Sequence, residues 1–103
     1  MFKLNFFVPE THLESVKAAL FAAGAGRVGD YDSCCWQTSG QGQFRPLEGS
    51  SPHIGRRDRI ETVAEFRIEM VCDGAIIEQA IAAMKSSHPY EEPAYDVWKL
   101  EDI

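Results

Sequence analysis

Cysteine is scarce in this chain. Its 103 residues hold only Cys34, Cys35 and Cys72, too few and too irregularly spaced for a disulfide framework, which points to a reducing, cytoplasmic setting. Positive charge is also the minority. Ten Lys plus Arg stand against sixteen Asp plus Glu, for a formal net charge of -6. Nucleic-acid binding draws its affinity from neutralised phosphates, so this balance speaks against a nucleic-acid partner. No apolar run approaches the roughly 20 residues that span a bilayer, so no membrane partner is expected. Met1-Phe2-Lys3-Leu4 opens a strand-like alternation instead of a signal peptide. What is plentiful is core material, with 45% hydrophobic and 11% aromatic residues. That suffices for one unstapled domain over residues 1–103.

Periodicity sets the order of elements. Phe2, Leu4, Phe6 and Val8 alternate with Lys3, Asn5 and Phe7, the pattern of a strand over 2–8. Thr11 and Glu14 have the spacing of a capping box, and Leu13, Val16, Leu20 and Ala23 repeat at helical spacing up to Gly24. Residues 31–38 read as a strand, with Ser39-Gly40-Gln41-Gly42 as the turn to a short return strand stopped by Pro46. Pro46 to Arg57 is rich in Gly, Ser and Pro and lacks periodicity, so it reads as a loop. From 59 to 71, Ile60, Ala64, Phe66, Ile68 and Met70 face one way and Glu61, Glu65, Arg67 and Glu69 the other, which predicts a long strand with one buried face. Asp73 is placed to cap a helix with an apolar stripe of Ile76, Ile77, Ala80, Ile81 and Met84. Residues 94–100 give the last strand. The sum is an α+β, ferredoxin-like sandwich: an antiparallel sheet with two helices on one face, plus an added hairpin.

Four motifs carry chemical content. Gly24-Ala25-Gly26-Arg27-Val28-Gly29 matches a dinucleotide fingerprint, but it closes a helix, where the dipole presents its negative end to a phosphate. Cys34 and Cys35 are adjacent on an expected strand and point to opposite faces, so at least one reads as a buried small hydrophobe and not a ligand. Arg45, His53, Arg56, Arg57 and Arg59 form a basic cluster inside an acidic chain. The cluster either receives an anion or merely balances Glu48, Asp58 and Glu61. His88-Pro89-Tyr90-Glu91-Glu92-Pro93 sets an imidazole and two carboxylates on a turn stiffened by prolines. His88, Glu91 and Glu92 offer N and O donors for a divalent metal ion; the alternative is a structural cap with Tyr90 as a lid.

These segments, taken together, resemble the insert domain of YqfO-type proteins, bacterial members of the NGG-interacting-factor-like family. The resemblance rests on Gly24 to Cys34, Gly42 to Gly49, Pro52-His53-Ile54-Gly55 and His88 to Asp96. It covers nearly the whole chain, here expected as a stand-alone protein. The insert domain is in turn similar to CutA, a trimeric ferredoxin-like protein associated by name with divalent-cation tolerance. CutA proteins have a related turn, matched by His88, Tyr90 and Pro93. The resemblance therefore implies a CutA-like fold and a homo-oligomer, trimer before dimer. The dinuclear metal site of full YqfO-type proteins lies in flanking lobes for which this chain has no residues.

The expected function is a non-enzymatic binding domain for a small ligand, a divalent metal ion or a protein partner, with no cofactor required. The ligand residues expected are Arg45, His53, Arg56, His88, Tyr90 and Glu91. An enzyme using His88, Glu91 and Glu92 is the competing class, and an oligomerisation module the third; the sequence offers no nucleophile–base–orienter set to favour the enzyme.

Overall fold

The opening alternation folds as β1, Phe2–Pro9, which lies inside the sheet and is paired on both sides. The computed structural model describes all residues from Met1 to Ile103. After β1 come α1 (Leu13–Ala22), β2 (Trp36–Phe44), β3 (Glu61–Cys72), α2 (Ile77–Ser87) and β4 (Tyr95–Lys99). The strands order as β2-β3-β1-β4, and each neighbouring pair is antiparallel. Both β-α-β units are thus split by an intervening strand, the ferredoxin-like topology. Leu4, Phe6 and Val8 of β1 and Ile68, Met70 and Cys72 of β3 form one buried cluster with Val16, Leu20, Ala80 and Met84 of the two helices. Both helices therefore cover one sheet face.

Local departures from the sequence reading have local causes. Thr11 and Glu14 do not form a capping box. Pro9 leads into a 3-10 turn over Glu10–His12, so Thr11 lies inside that turn and its hydroxyl meets His12 Nδ1 at 2.9 Å, while Glu14 pairs with Lys17 at 2.9 Å. Asp73 accepts a hydrogen bond from the Ala75 amide at 2.9 Å. This is a turn just ahead of α2, not a cap on its first residue.

The added hairpin over 31–46 is absent. One straight edge strand, β2, runs through Ser39–Gly42, because β3 is long enough to pair with all of it, from Trp36 opposite Glu69 to Phe44 opposite Glu61. Gly42 serves close approach here: a Cβ at that position would collide with the Glu65 carboxylate. Before Trp36 the chain is not a strand. Ser33 takes φ 56°, and the segment folds back so that the Gly26 amide donates to Val71 O and the Cys34 amide to Gly26 O, both at 2.8 Å. Neither cysteine of the pair is buried as expected; Cys34 is half-buried and Cys35 exposed.

The long strand exists, but its burial fades. Ile68, Met70 and Cys72 are sealed, Phe66 is half-buried, and Ala64 and Ile60 are exposed. β1 pairs with β3 only from Glu65 onward, so residues 61–64 extend beyond it with β2 alone. Only β2 flanks β3 there. The molecule is correspondingly long, 46 × 24 × 22 Å.

Candidate ligand cleft

The stiff turn after α2 is anchored by its histidine. His88 closes α2, its amide donating to Met84 O at 3.0 Å, and its side chain is buried. The Tyr90 amide donates to His88 Nδ1 at 3.1 Å, which fixes the tautomer, so Nε2–H donates to Phe7 O at 2.6 Å. Both ring nitrogens are used. Burial lowers the His88 pKa below the usual imidazole value; the bond to Phe7 O opposes this, and the fields of His12 and His53 add to the lowering. The imidazole is a neutral strut between α2, the turn and β1.

Tyr90 stands on that strut, its ring 4.8 Å from the His88 ring. Its hydroxyl donates to Glu65 Oε2 at 3.1 Å. Burial first, then the charge of Glu65 and the bond to it, raise the phenol pKa well above its ordinary range, so Tyr90 stays protonated and bonded at neutral pH. Tyr90 also meets Phe44 and His53, with ring centres 6.4 and 6.3 Å away, and His53 meets His12 edge to face at 5.9 Å. His53 and His88, remote in sequence, both meet this tyrosine, and His12 joins them through His53.

Between the turn and the loop after β2 lies a cleft of about 600 Å³. Its walls are Phe7, Phe44 and Tyr90, with Glu65 on the sheet, Arg45 to Ser50 and Pro52 to Ile54 on the loop, and Glu91, Glu92 and Ala94 on the turn. Two side chains brace the loop. The Ser51 amide donates to Glu91 Oε2 at 2.9 Å, joining loop to turn. The Arg57 guanidinium donates to Ser50 O through Nε at 3.2 Å and Nη2 at 2.9 Å.

Of the residues singled out from sequence, Arg45, His53, Tyr90, Glu91 and Glu92 line this one cleft. His88 lies behind it as the support of Tyr90, and Arg56 is not in the lining. The metal set of His88, Glu91 and Glu92 does not fit a cation. His88 has no free lone pair, and no group of three or more His, Cys, Asp and Glu is placed to hold an ion. Sequence reading missed Phe7, Phe44 and Glu65 as cleft residues. The available signal was a pair of glycines, Gly40 and Gly42, inside a strand. They pair opposite Glu65 and Val63, and Gly42 leaves room for the Glu65 carboxylate.

No family model matches the chain. Among curated proteins it is 47% identical, over 98 residues, to a "GTP cyclohydrolase 1 type 2 homolog" of Mycobacterium tuberculosis, covering 95% of this chain and 26% of that protein. A crystal structure of a Bacillus cereus protein related to NIF3 superposes with TM-score 0.85 at 42% identity, covering 98% of this chain and 26% of the other. This chain is a homologue of that NIF3-related segment. It spans about a quarter of the length of the relatives it matches. The periplasmic divalent cation tolerance protein CutA from Archaeoglobus fulgidus gives TM-score 0.70 at 17% identity, with 99% of this chain and 86% of that one covered. At that identity the likeness is one of fold, and the fold is CutA-like.

Proposed function

We propose that this chain is a non-enzymatic binding domain whose ligand enters the cleft between the loop after β2 and the His88–Pro93 turn. The observation that carries this reading is the cleft itself, about 600 Å³ in size and bounded by two loops that Glu91 and the Ser51 amide tie together at 2.9 Å. That volume lies within the range typical of small-molecule sites, and loops on a rigid sandwich are where binding residues concentrate. Binding, not turnover, is favoured because the buried imidazole has both nitrogens committed, leaving it no proton to shuttle. The cyclohydrolase name of the longer relatives is not carried over to a segment covering 26% of them.

The test is NMR of the labelled chain against a fragment set of cations, anions and neutral molecules. Shifts grouped on Phe44, His53, Tyr90 and Glu91 are expected. Shifts scattered over the surface, or none, overturn the reading.

A second property, homo-oligomerisation with a trimer ahead of a dimer, has its own support. β2 is an edge strand of nine residues without a charged side chain, and Trp36 and Trp98 are 68% and 48% exposed. Unprotected edges and exposed aromatics are the usual substrate of self-association. The likeness in fold to CutA favours the trimer. Sedimentation equilibrium showing only monomer at micromolar concentration rejects assembly, and a clean dimer rejects the trimer. The free thiols Cys34, Cys35 and Cys72 suit a reducing cytoplasm.

A further inference from the structure

We infer that the cleft selects an organic ammonium, a compact aliphatic amine with its charged head among carboxylates and its carbon chain against aromatic rings; this rests on the binding reading above. Charge comes first. Glu65, Glu91 and Glu92 line the cleft with Glu48, against a single guanidinium, Arg45. A site of that sign attracts cations and repels the phosphate or carboxylate that the basic cluster suggested. Arg56 is outside the lining, and Arg57 is turned to Ser50 O. The anion reading keeps only Arg45 and His53 in the lining, against four carboxylates.

Aromatic walls and acceptor geometry then separate an organic cation from a metal ion. The Phe44 and Tyr90 rings are tilted by 51° with centres 6.4 Å apart, and Phe7 completes the wall. Ring faces attract alkylammonium groups, which shed water at modest cost, and they give nothing to a hydrated divalent ion that needs converging oxygen or nitrogen ligands. Two of the carboxylates are held, each by one oxygen. Glu65 takes the Tyr90 hydroxyl on Oε2, and Glu91 takes the Ser51 amide on Oε2. The Glu65 carboxylate is seated over Gly42, and exposed Glu91 has an Oε1 that the chain itself does not use, so both carboxylates are placed before a ligand arrives. An ammonium with three donors matches such a set of separate acceptors.

The experiment is calorimetric titration of 1,4-diaminobutane, butylamine, butyrate and inorganic phosphate into the full chain at low and moderate salt. Both amines are expected to bind, the diamine more tightly, with affinity falling several-fold as salt rises. Glu65→Gln keeps an acceptor for Tyr90, and Glu92→Gln changes only an exposed side chain; each is expected to weaken the diamine about threefold to tenfold. Phe44→Leu is expected to weaken both amines roughly threefold while retaining an apolar wall. Amine binding unchanged in both glutamine variants overturns the inference. Binding of butyrate or phosphate in place of the amines overturns the ligand class and leaves the binding cleft standing. Failure of all four probes, with no fragment shifting cleft residues by NMR, overturns both.

Discussion

The two ends of β3 share one sequence pattern and have opposite fates. At its C-terminal end Ile68, Met70 and Cys72 are sealed under two helices, whereas at its N-terminal end Thr62 and Ala64 are open to water. Alternation decides which side of a sheet a residue faces. It does not decide whether anything lies on that side. β1 stops opposite Glu65, and beyond it β2 and β3 continue as a two-stranded ribbon. The contrast also divides the work: the sealed end supplies the core, and the open end brings Phe44 and Glu65 to the cleft.

Substitution along β3, and at Ile60 just before it, breaks this comparison most sharply. Ile68→Ala removes a fully buried side chain and is expected to cost about 2–5 kcal/mol in denaturant unfolding. Phe66→Ala, half-buried, is expected to cost about 1–2 kcal/mol, below the value for a fully buried ring. Ile60→Ala, at 65% exposure, is expected to change stability by less than about 0.5 kcal/mol. Equal losses at Ile68 and Ile60 would mean that the ribbon end is covered in solution, as a second copy of the chain could do.

His88 sits at the boundary between the two regions and comes next in size. His88→Ala removes the strut and leaves Phe7 O, inside the sheet, without its partner, for an expected loss of about 1–3 kcal/mol. The native ring also makes stability depend on pH. Its folded pKa is lowered, chiefly by burial, so the folded state binds this proton less readily than the unfolded state. Its contribution is therefore complete above about pH 6.5, the ordinary imidazole value, and is lost as pH falls from there toward the lowered folded value. Unfolding midpoints from pH 8 to 5 are expected to drop below 6.5 in the native chain and to drop less in His88→Gln. The same slope in both would place the acid-sensitive group elsewhere.

The legibility of the sequence follows the same division. β1, both helices and the buried half of β3 were readable because an apolar period coincides with a layer that covers it. The hairpin was misread because Ser39-Gly40-Gln41-Gly42 carries turn residues, and their reason lies across the sheet, where Glu65 needs the space at Gly42. Glycine for close approach and glycine for a turn are the same letter. The loops that line the cleft were readable from their composition, and Arg45, His53, Tyr90 and Glu91 do gather there. The role of His88 was not. A histidine beside two glutamates looks like a ligand set until Phe7 O, 81 positions away, takes one nitrogen.

The smallest effect is expected at the contact that joins the two loops. The Ser51 amide donates to Glu91 Oε2 at 2.9 Å, and both residues are exposed. Such a bond adds little to global stability because water competes for both partners, so the unfolding midpoint of Glu91→Ala is expected to match the native one. Local opening is a different quantity, and amide exchange reads it residue by residue. Exchange at Ser51 is expected to quicken several-fold in Glu91→Ala and to stay near the native rate in Glu91→Gln, which keeps an acceptor. The Asp58 amide is the internal reference, because its bond to Pro46 O at 2.6 Å lies across the base of the same loop and does not involve Glu91. If Ser51 and Asp58 both quicken, the whole loop depends on the turn, and the open end is a single cooperative unit. If Ser51 does not change, the loop is held from its base alone, and the cleft can widen without breaking any bond to the turn.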